Sequence, residues 1–358
     1  MSNAKNFIPA LTGYRAIAAW IIFIYHFFPF KNVNHTYPEF ISNIIYEFHI
    51  GVDMFFVLSG FLITYRYYNL DKIDFKEYMV NRFARIYPMY FIITLAVFAV
   101  AFFKDGEWSQ INTLEFIFSI TLTKALFSEF HFAGIAQGWT LTLEEIFYLF
   151  APFYFILIKK SKYYLIGIPI LIYIVFYNLS AMVDADWNIY GFLQKPIYSY
   201  IVEFFVGIGI AILILNNKIT KTKYFTFFGI SFMILYVLYR KPVLDYINIK
   251  HYIITFLDLS LLSLLGIAPI IIGLIYEKTF VQKFLSFKTM VVLGKSSYVF
   301  YLIHKGFIPI FIDEYITSNK IILFTLLNVI SYLMFTYMEE PFNKFIRSKY
   351  KLSKTTKS

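Results

Sequence analysis

The sequence predicts an all-α fold: a polytopic integral membrane protein of about ten transmembrane helices, with both termini cytoplasmic. Three observations predict it. Apolar residues make up 59% of the chain and charged residues 15%, whereas soluble domains run near 45–50% and about 25%. The apolar residues fall in repeated runs close to the roughly 20 residues that a bilayer crossing needs. The basic residues collect in alternate segments between those runs. The net charge of +10 is therefore read as positive-inside bias, and no nucleic-acid partner is expected. The chain has no cysteine, which excludes disulfides, a thiol nucleophile and thiolate metal ligands.

By length, the expected spans are 8–30, 50–66, 86–103, 139–158, 163–179, 196–215, 224–239, 251–276, 289–312 and 320–338. The stretch 113–127 is expected to be re-entrant or interfacial, because Glu115 and Lys124 would be costly in lipid. If it spanned, the downstream topology would invert. With the N-terminus inside, the inner segments hold roughly 21 of the 32 Lys and Arg and the outer loops roughly 8. Lys159, Lys160 and Lys162 form one inner cluster, and Lys218, Lys221 and Lys223 another. The outer loop 180–195 carries Asp184 and Asp186 instead. The 240–250 loop, with Arg240, Lys241 and Lys250, fits this orientation least well. Residues 1–342 are expected to form one transmembrane domain and 343–358 a basic cytoplasmic tail. The N-terminus lacks the cleavage site of a signal peptide.

The first span, I-P-A-L-T-G-Y-R-A-I-A-A-W-I-I-F-I-Y-H-F-F-P-F, carries two ionisable groups, Arg15 and His26. Eleven positions on a helix give roughly 16.5 Å of rise and about 20° beyond three full turns. Both side chains therefore share a face, which should look into protein or a water-filled cavity. The structural alternative is a snorkelling Arg and a His satisfied by a neighbouring helix. His35 and His49 follow in an outer loop. Asp53 falls in the first turn of the second span, where it either complements the helix dipole or orients a His. Ser59-Gly60 at mid-span points to close helix packing. Arg82 and Arg85 are three apart at the end of the first inner loop and would share a helical face. That spacing suits a phosphate, although positive-inside bias also explains it. Pro88 fits the first turn of the third span.

In G-W-T-L-T-L-E-E-I-F-Y-L-F-A-P, residues 138–152, Glu144 and Glu145 point about 100° apart. At most one of them faces a cavity comfortably. Trp139 and Tyr148 suit the interface. His304, in the ninth span, reads as structural. Glu339 and Glu340 read as unremarkable exposed carboxylates at the inner boundary. These residues form no glycine-rich phosphate loop, zinc-type His spacing or Ser-His-Asp arrangement.

Taken in order, the motifs carry more than any one of them. They are Arg15-(ten residues)-His26, G-V-D-M-F-F-V-L-S-G-F-L-I-T, R-F-A-R-I-Y-P, W-T-L-T-L-E-E-I-F-Y-L, L-G-K-S-S-Y-V-F-Y-L-I-H and E-E-P-F. This series resembles the acyltransferase-3 family of membrane acyltransferases, from about residue 7 to residue 342. The resemblance implies transfer of an acyl group, usually acetyl, from cytoplasmic acetyl-CoA or another acyl-CoA to a surface glycan or its lipid-linked precursor. It also implies a multi-pass protein of the inner (plasma) membrane. The acyl-CoA is consumed as donor substrate, and no permanently bound cofactor or metal is expected. The partners expected are the acceptor glycan, acyl-CoA and the lipid bilayer, with homo-oligomerisation left open. Ending soon after the tenth span, the chain looks like the family type without an added extracytoplasmic domain.

By the resemblance, Arg15 and His26 match the essential arginine–histidine pair. Arg82 and Arg85 match the pair thought to meet the donor, with Arg15 near the same end. Glu144 matches the glutamate after the tryptophan motif, and Glu145 stands at a variable position. Asp53 and Ser59 lie in the second-span motif, and Glu339 matches the carboxylate two before the proline. Thr12 stands where many members have an acid. His26 is the expected general base, or alternatively the group that itself carries the acyl. Asp53 or Glu144 is expected to orient it. The rival expectation is a transporter or flippase without chemistry, since intramembrane Arg, His and Glu also mark substrate paths.

Overall fold

The computed structural model describes residues 7–27, 38–106, 108–182, 198, 200–247 and 252–355. His35, Asp184, Asp186, Lys250 and Lys357 lie outside the described residues. Among the described residues the fold is helical, with no strand. Such a chain suits a bilayer, because a helix satisfies its own backbone hydrogen bonds where no water is present.

In chain order the helices are α1 (Pro9–Phe27), α2 (Glu39–Tyr46), α3 (Gly51–Tyr67), α4 (Phe75–Asp105) and α5 (Gln110–Ile120). Then come α6 (Trp139–Lys160), α7 (Tyr164–Met182), α8 (Ile201–Leu215), α9 (Phe225–Ile247), α10 (Tyr252–Leu261) and α11 (Ala268–Tyr276). The series closes with α12 (Phe280–Leu285), α13 (Lys288–Ile303), α14 (Phe307–Tyr315), α15 (Lys320–Met334) and α16 (Glu340–Thr355). A π-helical stretch, Leu262–Ile267, joins α10 to α11, and another, Phe335–Glu339, joins α15 to α16.

Among the described residues, seven helical stretches are long and apolar enough to cross a membrane. They fall at the first, second, third, fourth, seventh, eighth and tenth expected spans. The apolar helices at the fifth and sixth, Tyr164–Leu179 and Ile201–Leu215, are shorter. The ninth expected span is divided, because Gly306 adopts φ 109°, a conformation that an L residue rarely takes. The 113–127 stretch yields α5, only 11 residues long.

Several boundaries differ from expectation. Helix α4 begins at the Asp74 cap, whose carboxylate accepts from the Glu77 amide at 3.0 Å. Arg82 and Arg85 therefore stand on a helix rather than in a loop, and Pro88 lies in the helix interior rather than its first turn. Apolar length missed the start because the first turns are polar. Helix α9 likewise continues through Arg240 to Ile247, so Arg240 and Lys241 are helical rather than loop residues. The basic stretch after residue 342 is helical to Thr355.

The described chain forms two compact units. The first comprises Met1–Asn69, Phe153–Leu179 and Pro196–Gly294, and the second Leu70–Pro152, Ser180–Lys195 and Lys295–Ser358. Within the first, glycines let backbones touch. A Cβ on Gly60 would collide with the Phe204 carbonyl, and one on Gly207 with the Val57 carbonyl. Helices α3 and α8 thus meet backbone to backbone, as small residues allow in membranes. Gly60 behaves as expected of a packing residue. A Cβ on Gly51 would meet the Ala18 carbonyl, which sets α3 equally close to α1.

Candidate active site

In the first unit, Arg15 and His26 lie on the uninterrupted helix α1. Helical geometry therefore places them on one face, and both are half-buried. The Tyr25 ring, next to His26, meets the rings of Tyr46 and His49 edge to face, each at 6.1 Å. His49 in turn has Nδ1 2.9 Å from the Tyr46 carbonyl. A carbonyl only accepts, so Nδ1 carries the proton.

Asp53 is 2% exposed. It is within electrostatic reach of Tyr14, His49 and Arg240, and of the buried Glu203 carboxyl on α8. Beside them Arg240 forks between two helices. Its Nε donates to Asp258 Oδ2 at 2.9 Å and its Nη1 to Glu47 Oε2 at 3.0 Å. The Tyr236 hydroxyl donates to Asp258 Oδ1 at 2.9 Å. This explains the loop that fitted the charge bias least: Arg240 is bound to two carboxylates. Glu203, Glu47 and Asp258 were passed over in the sequence. The signal for Glu203 was present, an acid inside I-V-E-F-F-V.

In the second unit, α6 is pinned at its start. Gln137 Nε2 donates to the carbonyls of Tyr301 and Leu302 at 3.0 and 2.7 Å, and Thr140 Oγ1 lies 3.0 Å from the Tyr301 hydroxyl. Trp139 stacks on His131 with centroids 4.9 Å apart. One helical turn further on, the Tyr148 hydroxyl donates to the Glu144 carboxylate. The Arg82 guanidinium lies over the Tyr148 ring, 4.9 Å from its centroid, the geometry of a cation–π contact. Tyr148 therefore faces inward between Arg82 and Glu144 rather than standing at an interface. Glu145 Oε1 is buried without a hydrogen-bond partner.

Arg85 takes a different partner, an ion pair with Glu339. Glu339 is 2% exposed, so it is not the exposed boundary carboxylate that was expected. It lies in the π-helical stretch Phe335–Glu339, and π-helical insertions are frequent at functional sites. His304 is buried, with Nδ1 2.8 Å from the Tyr301 carbonyl, in keeping with a structural residue. Arg15, His26 and Asp53 thus belong to the first unit, and Arg82, Arg85 and Glu144 to the second. No group of three or more metal-ligating side chains occurs among the described residues.

A family model described as an acyltransferase domain matches residues 8–338. The chain belongs to the acyltransferase-3 family. That places Arg15, His26, Asp53, Arg82, Arg85 and Glu144 all inside the matched region of this membrane acyltransferase-family protein. The chain is 26% identical to the O-acetyltransferase OatA of Staphylococcus aureus strain NCTC 8325 / PS 47, over 96% of its own length and 57% of the relative's. The same figures hold for OatA of strain COL. The chain therefore spans little more than half the length of these relatives. No solved structure matches it.

Proposed function

We propose that this acyltransferase is a membrane O-acetyltransferase that moves an acetyl group from cytoplasmic acyl-CoA to a hydroxyl of a cell-surface polysaccharide or its lipid-linked precursor. The observation that carries the reading is the extent of the family match, residues 8–338, together with relatives named O-acetyltransferases. The domain is residues 1–342, crossing the inner (plasma) membrane about ten times with both termini inside. Residues 343–358 form its basic cytoplasmic extension.

A sugar hydroxyl has a pKa far above neutral and attacks a thioester well only if a base takes its proton. Imidazole titrates near 6.5, close to working pH. His26 accepts the hydroxyl proton as the oxygen attacks the thioester carbonyl carbon. The carbon–sulfur bond breaks, and the departing CoA sulfur takes the proton back from the imidazolium. The products are an ester and free CoA. Asp53 or Glu144 orients the base and steadies its charged form. The Tyr148 hydroxyl on Glu144 supports a held carboxylate. Arg15, Arg82 and Arg85 bind donor phosphates. A guanidinium has five N–H donors, so Arg85 can hold Glu339 and a phosphate at once.

The test is labelled acetyl-CoA turnover in membranes, with extracted surface glycan as acceptor. Label should enter base-labile ester with wild type, and His26→Ala should slow this by roughly 10²–10⁴-fold, the usual contribution of a positioned base. An unchanged rate in His26→Ala would discard the base. A wild type that consumes no acyl-CoA yet moves glycan across the membrane would replace the enzyme with a transporter.

A further inference from the structure

A cavity of about 550 Å³ opens in the second unit, within the range of roughly 300–1,000 Å³ typical of ligand sites. Its walls include Arg85, Lys295, Glu340, Lys344, Arg347 and Lys351. These come from α4, α13 and α16, far apart in sequence. Five of the six are cations. Counting Glu339, the buried partner of Arg85, the cations still exceed the carboxylates by three. An ordinary basic helix face spreads its charge into solvent. Here cations from three helices converge on one concavity, which concentrates positive potential there.

The walls are cross-linked. Arg85 is paired with Glu339 at the π-helical stretch that leads into α16. Arg347 Nη2 donates to the Asn81 carbonyl on α4 at 3.3 Å. On α16, Lys344, Arg347 and Lys351 fall within about 60° of one another and span roughly 10 Å of rise. One phosphate cannot engage a stripe of that length. A ligand with phosphates at separate points can.

We propose that this cavity binds the 3′-phosphorylated ADP end of the donor, with Lys295, Arg347 and Lys351 supplying phosphate contacts. The inference rests on the acyl-CoA reading above and adds the residues and the part of the donor they recognise. A phosphomonoester carries roughly −1.5 to −2 at neutral pH, and the diphosphate linkage adds more, which matches a surplus of three cations. A single-phosphodiester lipid headgroup matches it less well.

The test is equilibrium binding to the full chain in phosphatidylcholine nanodiscs. The probes are adenosine 3′,5′-bisphosphate and AMP. The bisphosphate should bind about tenfold more tightly than AMP, as charge-assisted contacts require. The Arg347→Ala/Lys351→Ala double variant should lose that margin, and Arg347→Lys should keep most of it. If the double variant does not fold, Lys351→Ala alone should lose part of the margin. Equal binding of the two probes, or an unchanged margin in folded variants, would overturn the proposal. So would phosphatidylglycerol discs that abolish bisphosphate binding, since the site would then be a lipid site. Acetyl transfer is followed in parallel. No transfer, with binding as expected, would sink the O-acetyltransferase reading and leave the cavity standing. Transfer with an unchanged acetyl-CoA KM in Lys351→Ala would sink the cavity and leave the enzyme.

Discussion

Arg82 and Arg85 lie three residues apart on α4, yet they do different things. Arg82 rests on the Tyr148 ring, and Arg85 is held by the buried Glu339. If Arg82 meets the donor, Arg82→Ala should raise the acetyl-CoA KM several-fold with a smaller fall in kcat. Steady-state kinetics in membranes would show it, and a loss in kcat alone would argue against donor contact. The shared face of Arg15 and His26 was legible in the sequence, because both sit in one apolar run and helical periodicity is fixed. The burial of Glu339 was not. It looked like an acid at a membrane boundary, and only its ion pair with a residue 254 positions away makes burial tolerable. Tyr148 was misread for a related reason. An aromatic residue near a helix start suits an interface until a partner for its hydroxyl is known.

Glycine contacts and caps set how the helices pack. Gly60→Ala should destabilise the protein by about 1–3 kcal/mol, the usual cost of overpacking, because its Cβ would collide with the Phe204 carbonyl. Gly167→Ala, on α7, meets open space and should be neutral or stabilising by up to about 1 kcal/mol. Thermal denaturation of the two variants in detergent separates them. At the foot of α9, Glu277 accepts from the Phe225 and Thr226 amides at 2.7 and 3.0 Å and from the Thr226 hydroxyl at 2.6 Å. Burial pushes this carboxyl up, but the hydrogen bonds outweigh it and hold it below the usual carboxylate range. Its contribution is therefore present above the unfolded value near 4.3 and is lost as pH falls through the lower folded value. Wild-type stability should fall over that acid window, and Glu277→Gln should show a shallower fall. Hydrogen exchange at the start of α9 between pH 3 and 6 would measure it. The sequence reading gave no sign of this cap, since Thr226 and Glu277 meet only when α9 lies against α11 at Gly273.

For the molecule as a whole, the proposed orientation makes a direct prediction. The chain contains no cysteine, so single cysteines report on sidedness without background. Cysteine placed at Lys218 or Lys349 should react with an impermeant maleimide only in inside-out vesicles. One placed at Trp108 should react in right-side-out vesicles, and the reverse pattern would invert the topology. The sequence by itself determined that the chain is helical and membrane-spanning, where most of its apolar runs lie and which family it belongs to. Apolar length, helical periodicity and motif order are properties of the chain read in one dimension. Only the tertiary structure decided which charges pair: Arg240 with Glu47 and Asp258, and Arg85 with Glu339. Each pairing depends on the rotation and contact of helices distant in sequence. An acid inside an apolar run shows that burial is costly, but it does not show which partner offsets the cost.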